Sequence, residues 1–204
     1  MIAIVDYGVG NVAAIGNIYK RLDIPARLAA TAEELDEADR VVLPGVGSFD
    51  WAMERLDRSG LRPALERAAL EERKPILGIC VGMQMLARGS DEGRLPGFGW
   101  IDGHVRRFEA QRGGRRTQLP HMGWNDVEPA DSADLFADWV DDARFYFLHS
   151  YYFEAADPAN VLAVTDYNGR FASAVRARNI LGVQFHPEKS HQWGVQLLKN
   201  FAAL

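Results

Sequence analysis

The chain has 204 residues, of which 48% are hydrophobic and 25% charged, proportions that suit one globular domain with a sizeable core of its own. Twenty-three basic against 28 acidic side chains leave a net charge of −5, which gives no reason to expect a nucleic-acid partner. The single cysteine, Cys80, excludes an intramolecular disulfide and with it a disulfide-stapled secreted fold.

The start, Met1-Ile-Ala-Ile-Val-Asp6, lacks the basic stretch and long apolar run of a signal peptide. No segment approaches the roughly 18 apolar residues of a membrane-spanning helix. A cytoplasmic setting without membrane contact is therefore expected.

In chain order, Ile2–Val5 reads as a buried strand closed by the glycine-containing turn Asp6-Tyr-Gly-Val-Gly10. Val12, Ile15, Ile18, Tyr19 and Leu22 recur at helical spacing. Residues 25–30 predict a second strand, 31–39 a solvated helix and Arg40–Leu43 a third strand stopped by Pro44-Gly45. Helical patterns follow at Phe49–Leu56 and Leu61–Arg73, then a buried fourth strand at Pro75–Ile79 and a helix over Met83–Ala87. Strands alternating with helices imply a mostly parallel sheet.

Past Gly89 the segments His104–Phe108, Trp124–Val127, Phe145–His149, Val161–Val164 and Ala172–Arg176 alternate like antiparallel strands. Ile180–Phe185 reads as a further strand and Val195–Phe201 as a closing helix with Leu197, Leu198 and Phe201 inward. Arg106, Arg107, Arg112, Arg115 and Arg116 gather around Gly113-Gly114 and read as a solvated hairpin. The expected fold class is α/β: a single domain over residues 1–204, its mixed, mostly parallel sheet flanked by helices and continued by an antiparallel extension.

Gly78-Ile-Cys-Val-Gly82, between the fourth strand and the following helix, has the G-x-S-x-G spacing of a nucleophile elbow with cysteine in the serine position. The glycines allow backbone to approach backbone at a sharp turn, and a helix N-terminus favours the reactive thiolate form of a cysteine. A base is then required. In Gln184-Phe-His-Pro-Glu188, Pro187 disfavours helix at His186, and side chains at i and i+2 of an extended chain share a side. His186 and Glu188 are thus the expected base and orienting carboxylate, with Cys80 as nucleophile. His104, His121, His149 and His191 lack that context, and no cluster shows metal-ligand spacing.

Leu43-Pro-Gly-Val-Gly-Ser48 ends the strand expected beside the elbow. Backbone N–H groups near Gly47 and at Val81 are the expected donors to an oxyanion. Gly8-Val-Gly-Asn-Val-Ala13 matches a dinucleotide fingerprint, but no acidic residue ends the second strand to take a ribose.

Gly78-Ile-Cys-Val-Gly-Met-Gln84 with His186-Pro-Glu188 resembles the signature of class I (triad) glutamine amidotransferases. Asp6-Tyr-Gly-Val-Gly-Asn11, Pro44-Gly-Val-Gly-Ser-Phe49, Pro120-His-Met-Gly-Trp-Asn125, Phe145-Tyr-Phe-Leu-His-Ser-Tyr151 and His186-Pro-Glu-Lys-Ser190 extend the likeness across the chain. They are similar to the branch of that family that supplies ammonia for histidine biosynthesis. The resemblance implies glutamine as substrate, a glutamyl thioester on Cys80, and no cofactor or metal. It implies that Gln84 and Ser150-Tyr151 hold the amino-acid end of glutamine. Asn11, Met122, Trp124 and Lys189 would lie on the face that docks a cyclase subunit, a (β/α)8 barrel, in a heterodimer; core packing is the alternative for Trp124. A paralogous branch that serves surface-polysaccharide amination, and a cysteine hydrolase of another class, are the alternative functions.

Overall fold

The computed structural model describes residues 1–112, 114–130, 134–138 and 143–204. The parallel half of its main sheet contains β1 (Ile2–Val5), β2 (Ala26–Ala29), β3 (Arg40–Gly45) and β4 (Ile76–Cys80), interleaved with α1 (Val12–Arg21), α2 (Ala32–Asp36), α3 (Phe49–Ser59) and α4 (Arg62–Glu66). Every residue of β4 is buried, as a near-continuous apolar run requires when helices cover both faces of a strand. Thr31 and Glu34 form a reciprocal capping box that starts α2, and Gly60 ends α3 in the left-handed conformation. The pattern over Leu61–Arg73 is not one uniform helix: α4 passes into a π-helical turn at Arg67–Glu71.

The helix after β4 differs from expectation. It is α5 (Val81–Gln84), beginning directly at the elbow and ending before Met85. The carbonyls of Met85, Leu86 and Ala87 accept from the amides of Phe98, Ile101 and Gly99. A returning loop therefore satisfies the groups that a longer helix would have paired internally.

The remaining strands are β5 (Gly103–Arg107), β6 (Gln111–Arg112), β7 (Arg115–Arg116), β8 (His121–Asp126), β9 (Glu128–Pro129), β10 (Arg144–His149), β11 (Tyr151–Ala155), β12 (Val161–Asp166), β13 (Arg170–Ala177) and β14 (Ile180–Val183). Strand order in the main sheet is β2-β1-β3-β4-β14-β13-β11-β5, with β12 and β9 branching from β13. Pairing is parallel from β2 to β14 and antiparallel beyond it. Strand β11 was not anticipated, because Ser150 alone separates it from β10, so no turn signal divides the two. Strand β14 stops at Val183, two residues earlier than its apolar pattern suggests.

Strands β8 and β10 form a separate two-stranded sheet, and β6 with β7 form the expected hairpin, whose Gly113 lies outside the described residues. The chain closes with α6 (His191–Ala203), four residues earlier at its start than its apolar spacing shows. Leu197, Leu198 and Phe201 are buried on it as expected, each such side chain contributing roughly 1.5–3 kcal/mol of burial. The main core adds Tyr19, Phe49, Phe145, Phe147, Phe153 and Phe185, all fully buried. No helix among the described residues is long and apolar enough to cross a membrane.

Candidate active site

Cys80 ends β4 with φ 56° and ψ −113°, a left-handed conformation that costs a non-glycine residue about 1–3 kcal/mol. The neighbouring glycines hold it there by close packing. A Cβ on Gly78 would lie 2.6 Å from the carbonyl oxygen of Gly82, and one on Gly82 would lie 2.0 Å from that of Leu43. A Cβ on Gly45 would meet the amide nitrogen of Gly82 at 2.3 Å. Strand β3 therefore seats directly against the elbow, and Gly45 pairs in register with Cys80. The expected placement of the P-G-V-G loop beside the cysteine is realised in this contact.

His186 is extended, but the residues after it are not. Pro187–Lys189 form a single 3-10 turn, which corrects the expectation of a continuously extended His-Pro-Glu segment. The proline permits both halves: it forbids helix at His186 and starts the turn with its fixed φ. The turn brings Glu188 Oε1 to 2.9 Å from His186 Nδ1, and both side chains are almost wholly buried. The other ring nitrogen is left for Cys80, which lines the same cavity as His186. Burial pulls the imidazole pKa down, but interactions with Cys80 and Glu188 outweigh it and raise the value to about 10. These interactions favour the imidazolium form of His186.

Cys80 and His186 line a cavity of about 310 Å³ together with Val46, Gly47, Val81, Gln84, Ser150 and Tyr151. The expected nucleophile, base, oxyanion and substrate-binding positions thus meet in one place, with Glu188 behind His186. Gln84 Nε2 donates to the carbonyl oxygen of Tyr151 at 3.2 Å and to Gln184 Oε1 at 3.1 Å. Gln184 in turn directs its Nε2 at Cys80 Sγ, 3.8 Å away.

Glu92 and His149 also line the cavity and were not anticipated. Glu92 sits in the loop that returns to the sheet after α5, anchored through Oε2 to the amide of Phe49 at 2.9 Å. Its neighbours in sequence give no signal of that placement. Among the described residues no group of three or more His, Cys, Asp or Glu is arranged to hold a metal ion.

The four residues expected on a docking face divide. Lys189 lines the cavity with its ammonium 5.7 Å from the centre of the Tyr146 ring. Met122 and Trp124 lie outside the cavity on the outer face of β8, 65% and 40% exposed. Cross-strand register sets Trp124 beside Tyr146 and Met122 beside Leu148, so four large side chains share that face. Trp124 stacks on His191 at 5.0 Å and is not a core residue. Asn11 is exposed at the start of α1 and makes no side-chain cap there. The fingerprint-like turn Gly8–Ala13 is filled by the chain itself. A Cβ on Gly8 would lie 2.4 Å from the Arg55 guanidinium, and one on Gly10 would lie 2.7 Å from Pro44.

A cysteine on a strand-to-helix elbow, sharing a cavity with a buried histidine that is bonded to a carboxylate, is the equipment of a thiol-dependent hydrolase on an α/β sheet. A family model described as glutamine amidotransferase class-I matches residues 3–203. The chain is 55% identical to the imidazole glycerol phosphate synthase subunit HisH of Bdellovibrio bacteriovorus, over the whole of both chains. It is 46% identical to the subunit of the same name from Leptospira borgpetersenii, again over the whole of both. A solved glutamine amidotransferase structure superposes with a TM-score of 0.75 over the whole of both chains at 20% identity, a likeness of fold. The chain belongs to the class I glutamine amidotransferase family.

Proposed function

We propose that this chain is the glutaminase subunit of an imidazole glycerol phosphate synthase, making ammonia from glutamine for a cyclase subunit, a (β/α)8 barrel, in histidine biosynthesis. The observation that carries the reading is the line Cys80–His186–Glu188 at the wall of one cavity, on a chain that matches the HisH subunits from end to end.

The thiolate of Cys80 adds to the side-chain amide carbon of glutamine, and the carbonyl oxygen becomes an oxyanion held by N–H groups at Val81 and near Gly47. Each such donor is typically worth about 10²–10³ in rate. The His186 imidazolium gives its proton to the departing nitrogen as the C–N bond breaks, leaving a glutamyl thioester and ammonia. His186, now neutral, takes a proton from water while the hydroxide adds to the thioester. The C–S bond then breaks, glutamate leaves, and thiolate and imidazolium are restored. Glu188 fixes the ring's orientation and stabilises its positive charge throughout.

Gln84, Ser150 and Tyr151 suit the amino-acid end of the substrate, and the Glu92 carboxylate suits its α-ammonium group. Ammonia that escapes to bulk water is protonated and lost as a nucleophile, so the product needs an acceptor site close by. The exposed face of Met122 and Trp124, with Lys189 at the cavity and Asn11 just before α1, is the surface assigned to the partner. The deciding experiment is Cys80→Ala in the two-subunit complex. Glutamine-dependent synthesis should vanish while synthesis supplied with ammonium salts persists; loss of both would overturn the division of labour.

A further inference from the structure

Two histidines that take no part in this chemistry are joined at the cavity, His149 in its wall and His121 behind it. His149 Nδ1 lies 2.7 Å from the carbonyl oxygen of Tyr151, and His149 Nε2 lies 3.0 Å from His121 Nδ1. A carbonyl only accepts, so Nδ1 of His149 carries the proton. A neutral imidazole has one N–H, so Nε2 of His149 accepts and His121 Nδ1 donates. His121 Nε2 is then an acceptor, and the group facing it is the Asn125 amide nitrogen at 3.4 Å. That amide also donates to the carbonyl oxygen of Asp166 at 3.0 Å. Every bond in the line thus runs in one direction, from Asn125 to Tyr151.

The surroundings favour this neutral arrangement. Burial lowers the pKa of His149 to about 3 and that of His121 to about 4. His121 is clamped between the rings of Tyr167 and Phe147, with centroids 3.8 Å and 4.7 Å away. At the other end, the Tyr151 carbonyl also receives Gln84 Nε2. His149, Tyr151 and Gln84 all line the cavity that holds Cys80.

We propose that His149, held in its Nδ1–H tautomer by His121, is a positioning residue that fixes the Tyr151 carbonyl and, through it, the Gln84 amide for the amino-acid end of glutamine. The assignment rests on the glutaminase reading above. With the 2.7 Å bond in place the Tyr151 peptide has two donors and one orientation. Without it, Gln84 is the one side-chain donor left on that carbonyl among the described residues; the pairing of β11 with β5 still holds the strand, but the carbonyl and the Gln84 amide no longer share a fixed direction.

Asparagine and glutamine separate this role from simple packing. The Asn amide nitrogen falls near the position of a histidine Nδ1, whereas the Gln amide nitrogen falls near Nε2. In the complex with the partner subunit, His149→Gln should raise KM for glutamine about tenfold with kcat changed less than about threefold, the signature of a lost ground-state contact. His149→Asn should restore KM to within about threefold of wild type. Nitrogen-15 NMR of the wild-type chain should show Nδ1 of His149 protonated and Nε2 bare.

An Nε2–H tautomer, a wild-type KM in His149→Gln, or an Asn variant as weak as the Gln variant would overturn the assignment. Should His149→Gln not fold, the Asn variant and the NMR tautomer decide. A wild-type complex unable to turn over glutamine would instead sink the parent reading, with the NMR result still distinguishing the two failures.

Discussion

The phenol of Tyr7 donates to the carbonyl oxygen of Pro44 at 2.7 Å, tying the loop after β1 to the end of the strand that seats against the elbow. Burial, and then the charge of nearby Cys80, hold the Tyr7 pKa well above its ordinary value, so the hydroxyl remains a donor at every working pH. Gly10 packs on the same proline. Pro44 stands two residues before Val46, where the cavity wall begins, so slack at Pro44 passes directly into the Val46–Gly47 peptide.

Tyr7→Phe should therefore act on both stability and rate. A buried carbonyl left unpaired costs roughly 1–3 kcal/mol, and the melting temperature should fall accordingly. In steady-state assays kcat should drop about tenfold with KM unchanged, because the oxyanion donor and not the ground-state site is loosened. An unchanged kcat would show that the bond braces the fold and nothing more.

Glu188→Gln tests the carboxylate through a pH profile. In the first half of the reaction His186 must be protonated, and its pKa is raised to about 10. Activity should thus hold as pH rises through neutrality and fall only as the imidazolium loses its proton near that value. Removing the Glu188 charge takes away one of the two groups that raise the pKa. The alkaline limb of kcat should move to lower pH, and kcat itself should fall by about two decades or more while KM changes little. A limb that stays in place would remove Glu188 from the line.

How far this site could be read in the sequence depended on how local each contact is. Gly78 and Gly82 flank Cys80 within one turn of chain, and the close approach that requires Gly78 is to Gly82 itself. The elbow was therefore legible. His186 and Glu188 were found by an argument from extended geometry, although a 3-10 turn makes their contact; the proline that disfavours helix serves either conformation. Glu92 and the His121–His149 pair were not legible as site residues. Their placement depends on a loop that returns to the sheet and on the register of β8 against β10, pairings that no local pattern encodes. The length of α5 failed for the same reason, since distant amides of residues 98–101 end it.

Trp124→Ala addresses the proposed docking face. The indole is 40% exposed and leans on His191, so truncation leaves no cavity in the main core. The melting temperature of the isolated chain should stay within a few degrees of wild type. Affinity for the cyclase subunit should fall about thirtyfold, the scale of a 2 kcal/mol hot spot. Unfolding of the isolated chain, or unaltered affinity measured by titration calorimetry, would count against this face.

Gly47 allows a test of whether the oxyanion donors are complete before the partner binds. Its φ of 82° is one that side-chain-bearing residues rarely adopt, and an added Cβ would lie 2.9 Å from the Trp51 ring. Val46 beside it is exposed, so no packed core holds the Val46–Gly47 peptide from the outer side, and the prediction is that it turns between two orientations, of which one presents an N–H to the oxyanion. A donor out of place costs about 3–4 kcal/mol, or two to three decades in rate. Turnover of glutamine should then be lowest in the free chain, higher in the complex and highest in the complex with its acceptor bound. Gly47→Ala should depress kcat in the complex by about two decades with KM intact, because a methyl at this φ disfavours the conformation itself and not the substrate. Equal kcat in all three states of the wild type would mean that the donors are preformed. In that event a loss in Gly47→Ala would report only the crowding of Trp51, and restoring it by Trp51→Ala would identify that cause.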